Sequence, residues 1–150
     1  MTLLVVRAIH LLFMGLWVGS VMWLGGDVRR SVAAGGEHRA LLADRVLRAL
    51  RLMHICAGVT IASGFALVLE LGGFANVPLP IHVGMGSAGL LAMLGGGAPH
   101  GAWHGVLDRW TAGEMEATYR AVRRLGATAS VFKTGWLVVF VLMVFRNHVL

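Results

Sequence analysis

Cysteine occurs once, at Cys56, which excludes an internal disulfide and any zinc or iron–sulfur site built from cysteines. Charge is scarce as well: 13% of the 150 residues are Asp, Glu, Lys or Arg, against 57% hydrophobic. Aromatic residues interleaved with basic ones are missing, so the formal net charge of +6 does not describe a nucleic-acid surface. The opening MTLLVVRAIHLLF lacks a basic n-region and is interrupted by Arg7, so it reads as a retained membrane helix and not as a signal peptide.

What the chain does have is apolar length. A soluble domain of this size has no interior large enough to hide so much apolar surface, and a mean hydropathy of +0.77 points to a bilayer as the solvent. Four apolar stretches, at about residues 2–25, 52–72, 80–97 and 129–146, approach the roughly 20 residues that span a membrane. They predict an all-α integral membrane four-helix bundle, a single domain over residues 1–150. The segment between the first two stretches has six arginines against three acids, net +3, and its part from Glu37 to Arg51 has helical apolar spacing. GGFANVPLP, between the second and third, is uncharged, and its prolines suit a helix stop and restart. The segment between the third and fourth is net +1, and its GGGAP at 95–99 predicts a helix break that carries His100 and His104 toward the headgroups.

Charge distribution sets an orientation. With both basic segments cytoplasmic, as amphipathic connecting helices, both termini face outward, and the expected location is the cytoplasmic (inner) membrane of a bacterium. Small residues recur at close-packing intervals, as in Gly15-LWV-Gly19, Gly58-VTI-Ala62 and the series Gly86, Gly89 and Ala92, and predict helix–helix packing faces.

Ionisable residues inside spans are costly and become candidates for function. The predicted topology puts Arg7, His10, His82 and Glu70 toward the outer face, and Arg51, His54 and Lys133 toward the inner one. RAIH (7–10) and RLMH (51–54) each set an arginine one turn shallower than a histidine, on a shared helix face. An imidazole can ligate haem iron there while the guanidinium meets a propionate. One haem b would use His10 and His82, with Arg7 on a propionate. A second would use His54 and Arg51, with His100, His104 or Lys133 as partner. Ala57, Gly58 and Ala62 beyond His54, and Gly86 and Gly89 beyond His82, leave room for a porphyrin edge, whereas Phe13, Met14 and Trp17 beyond His10 make a wall. The plainer readings are histidines hydrogen-bonded between helices, Arg7 paired with Glu70, Arg51 as a positive-inside anchor, and Lys133 snorkelling to the interface. His100 and His104, four apart, could bind a metal if helical, but two ligands do not close a site.

Three stretches, RAIHLLFMGLWVGSVMWL, RALRLMHICAGVTIASGFALVLE and LPIHVGMGSAGLLAML, resemble the first three helices of the HemJ-type protoporphyrinogen oxidases and CopD-like small membrane proteins. The resemblance implies a haem-b-binding bundle with His10 as a ligand. The oxidase pattern continues His-Val with Lys where this chain reads His82-Val83-Gly84. That departure shifts the expectation to a haem-carrying electron carrier that works with a quinone or a partner redox protein. The alternatives are an assembly subunit of a respiratory or photosynthetic complex, the oxidase itself, or copper handling through Met14 and Met85 beside His10 and His82. The expected partners are the lipid bilayer, a membrane or redox protein, and a further copy of the chain.

Overall fold

A computed structural model describes residues 2–35 and 39–144. The fold is 92% helical, with no strand among the described residues. The helices are α1 (Thr2–Met22), α2 (Leu24–Ala33), α3 (Arg39–Glu70), α4 (Leu79–Thr111) and α5 (Met115–Val144), with a 3-10 turn at Phe74–Asn76. Glu37, where the expected amphipathic segment begins, and residues 145 and 146 of the expected fourth span lie outside the described residues.

Among the described residues, three helices are long and apolar enough to cross a membrane: α1 continued by α2, α3, and α4. The amphipathic segment does run into the second span. α3 is continuous for 32 residues, and Leu42, Val46, Ala49 and Met53 are buried along its first half. The helix ends at a Schellman turn, in which Gly73 N–H donates to the Val68 carbonyl (2.9 Å) and Gly72 N–H to that of Leu69 (3.0 Å). Gly72, at φ +90°, takes the left-handed conformation that a side chain would strain. Pro78 then caps α4 in extended conformation, and Pro80 sits in the first turn, where a missing N–H costs nothing.

The GGGAP stretch does not break its helix. α4 runs through Pro99 to Thr111, so His100 and His104 are helical residues. A proline inside a helix removes one hydrogen bond and crowds the carbonyl four residues earlier. Here that residue is Gly95, buried against α5 so closely that an added Cβ would lie 2.7 Å from Phe132 Cε2. Packing against α5 holds the helix through a sequence that would interrupt it in isolation. The chain reverses only at Ala112–Glu114, in a second Schellman turn through Gly113 (φ +77°).

α1 packs chiefly on α3 and α4 on α5. Both pairs run antiparallel: His10 of α1 meets Thr60 of α3, whereas Ser20 lies by Ala49. In the second pair Gly84 lies by Met143 and Gly95 by Phe132. The pairs are joined through Trp17, which meets Trp136 edge to face at 4.5 Å and Phe132 at 6.1 Å.

The most completely buried side chains lie at the α2 end. Val28 of α2, Val46 of α3, Trp103 and Val106 of α4 and Leu125 of α5 belong to one cluster. The Asp27–Arg45 ion pair (2.8 Å) ties α2 to α3, and the Arg39 guanidinium lies 5.1 Å above the Trp110 ring. At the other end α1 leaves Leu3, Leu4, Val5, Ile9, Leu11 and Leu12 exposed. Burial is thus concentrated at the α2 end, while the first turns of α1 turn apolar side chains outward.

Candidate functional site

His10 is half-buried on the face of α1 that meets α3. Its Nδ1 lies 3.0 Å from the Thr60 carbonyl and 3.1 Å from Ser63 Oγ. A carbonyl only accepts, so Nδ1 carries the proton and donates. Ser63 Oγ in turn donates to the Val59 carbonyl at 2.7 Å, which leaves a lone pair to share the His10 N–H. The ring fits because position 64 is glycine: an added Cβ would sit 3.2 Å from His10 Cε1. These contacts hold the neutral imidazole in the Nδ1–H form, with its unprotonated nitrogen at Nε2. Thr60 Oγ1 is buried with no hydrogen-bond partner among the described residues.

His82 is exposed one turn into α4. Its Nδ1–H donates to the Pro78 carbonyl (3.3 Å), and its ring lies 6.0 Å from Phe74. His54 is exposed on α3, with Nδ1–H donating to the Leu50 carbonyl at 2.6 Å. Arg7 and Arg51, each three residues before its histidine, are both exposed. Arg7 and Glu70 form no ion pair among the described residues, where all three pairs lie elsewhere. His100 and His104 share a face with ring centroids 4.9 Å apart, and no group of three or more metal-ligating side chains accompanies them among the described residues.

His10 and His82 lie toward the same end of their helices, but no ring contact or hydrogen bond joins them, and His10 is turned to α3. The small residues expected to pack helices are open: an added Cβ at Gly15, Gly19, Gly58, Gly86 or Gly89 meets nothing within 4 Å. The close approaches fall instead at Gly25, Gly64, Gly84, Gly95 and Gly135. The GxxxG spacing marks which residues share a face, and it leaves open which way that face turns.

Thr60, Ser63 and Gly64 were not singled out by the pattern of residues. The available signal was ASG at 62–64, a hydroxyl beside a glycine inside an apolar run. Lys133 Nζ donates to the Met22 carbonyl at 2.9 Å, capping the end of α1. Compared with known proteins, the chain matches no family model, no curated protein and no solved structure.

Proposed function

We propose that this is a multi-pass membrane protein that binds haem b and transfers electrons between a quinone or partner redox protein and an acceptor. The reading rests on one observation: His10 donates Nδ1–H to a backbone carbonyl on a neighbouring helix, which presets Nε2 as a ligand. A ligating histidine generally makes this second bond, and it fixes both tautomer and ring orientation. The donor chemistry at His10 therefore fits a residue that would hold a haem iron. Exposed Arg7, one turn nearer the helix end, fits a propionate.

His82, with open space at Gly86 and Gly89 beyond it, is the candidate second ligand. His54 with Arg51 is the candidate for a second haem on the opposite side. When bound, the haem would supply one-electron redox chemistry. The chain would hold the ligand nitrogen unprotonated, keep the imidazole from rotating, and surround it with apolar side chains that exclude water. In this reading the four long helices form the membrane bundle, with both termini outside and the basic α2 end in the cytoplasm of a bacterium.

The test is the absorbance spectrum of the protein purified from haem-replete cells, with a pyridine-haemochrome count. A b-type Soret band that His10→Ala removes supports the reading, and a colourless preparation overturns it.

A second reading, an assembly subunit without a cofactor, is favoured by Gly15 and Gly19, a close-packing pair on an exposed face of α1. Co-purification with a partner in a colourless complex distinguishes it.

A further inference from the structure

Between α2 and α5, at the α2 end, lies an open groove of about 860 Å³. Its floor is Gly25, Gly126 and Ala129, and its polar lining includes Arg29, Arg123 and Lys133, with no acidic residue among the described residues. The glycines create it: α2 and α5 approach so closely that an added Cβ on Gly25 would sit 3.3 Å from Gly126 Cα. The walls then diverge with cations on both sides. Among the described residues neither Arg29 nor Arg123 meets a carboxylate, since the ion pairs use Arg45, Arg48 and Arg120.

The face of α5 that lines this groove changes character along its length. It carries Arg123, Ser130 and Lys133 in the groove. Four, seven and eight residues beyond Lys133, on the same helical face, it presents Leu137, Phe140 and Val141, all exposed. Lys133 stands at the change, level with the Met22 carbonyl that ends α1. A polar cradle of positive charge that continues into an exposed apolar track has the layout of a phospholipid lying along a helix. A soluble phosphate would use the cradle alone and make no contact with the track.

The geometry points to a binding site for one anionic phospholipid, its phosphate between Arg29 and Arg123 and its acyl chains along Leu137, Phe140 and Val141. Each cation near an anionic headgroup contributes about fivefold in affinity, so removing two weakens binding roughly 25-fold.

The experiment measures phosphatidylglycerol binding to the full chain in neutral detergent by native mass spectrometry, with phosphatidylcholine as the uncharged lipid. The site requires one phosphatidylglycerol retained per chain, in preference to phosphatidylcholine. The double variant Arg29→Gln/Arg123→Gln loses it roughly 25-fold. Arg30→Gln/Arg124→Gln removes the same charge from neighbouring exposed positions outside the groove and leaves binding unchanged. If both double variants weaken binding equally, the attraction is diffuse and the site is overturned. Competition by inorganic phosphate as effective as by phosphatidylglycerol also overturns it, because the apolar track would then contribute nothing.

Discussion

Trp17 of α1 meets Trp136 of α5 edge to face, with ring centroids 4.5 Å apart. This contact joins the α1–α3 pair to the α4–α5 pair, and Phe132 completes it from one turn away. Trp17 is 1% exposed in a helix whose preceding residues mostly face outward. Truncating it removes an aromatic pair and leaves a cavity that flanking backbones cannot fill. Within a bilayer there is no water-transfer component, so Trp17→Ala is expected to cost toward the lower end of roughly 3–5 kcal/mol. Reversible unfolding in mixed detergent micelles measures it. A loss no greater than that of Leu12→Ala, on the exposed face, would show that the junction is held elsewhere.

The Nδ1–H form of His10 is a prediction in its own right. Nitrogen NMR of the metal-free protein should report a protonated Nδ1 and an unprotonated Nε2. Gly64→Leu places a side chain where the ring lies, and should free the imidazole to exchange between tautomers. Gly64→Ala is milder, since 3.2 Å requires a shift of only a few tenths of an ångström. An Nε2–H signal in the wild type would contradict the bond to the Thr60 carbonyl.

The fold was legible where hydrophobic period and turn chemistry agree. The amphipathic run into the second span and the proline restart at Pro78 could both be read directly. Two features could not. GGGAP has the local preferences of a break, and only Phe132, 33 residues beyond Pro99, shows what overrides them. The Leu24–Ala33 stretch has Leu24, Val28 and Val32 at helical spacing, but its glycines and charges made it look like a connecting segment. At the candidate site, RAIH announced His10, whereas its partners are a backbone carbonyl and a missing Cβ. Neither leaves a distinctive letter in a sequence.

The glycines divide into two groups with opposite expected behaviour. At Gly95 and Gly135 an added Cβ would come within 2.8 Å of Phe132 and Leu91 respectively, so Gly95→Val and Gly135→Val should loosen α4 from α5. At Gly89, which faces open space, alanine should be neutral or stabilise by up to about 1 kcal/mol through helix propensity. Thermal denaturation of the three variants in one detergent separates the groups. Equal destabilisation at Gly89 would mean that another chain covers that face.

Lys133 donates to the Met22 carbonyl across 111 residues of sequence, a link from α5 to the end of α1. A cation there also favours the negative end of the α1 dipole. Lys133→Met keeps the length of the stem and removes both effects, at an expected cost of about 1 kcal/mol. Because Lys133 also lines the α2–α5 groove, its variant should lose stability even in detergent containing no anionic lipid. Arg29→Gln should not, and that contrast separates capping from headgroup binding.

Orientation follows from where the cations collect, and it can be read chemically because Cys56 is the only native thiol and is buried. In a Cys56→Ala background, Ala112→Cys places a thiol in the exposed turn between α4 and α5, close in sequence to Arg109. Ala75→Cys places one in the uncharged connection between α3 and α4, at the opposite end. The positive-inside rule puts the first in the cytoplasm and the second outside. A membrane-impermeant maleimide added to intact cells should then label Ala75→Cys and spare Ala112→Cys, with the pattern reversed in inverted vesicles. Labelling of both from one side would mean that α4 does not cross the bilayer. The reverse pattern would move His10 and Arg7 to the cytoplasmic leaflet and the Arg29–Arg123 groove to the outer one.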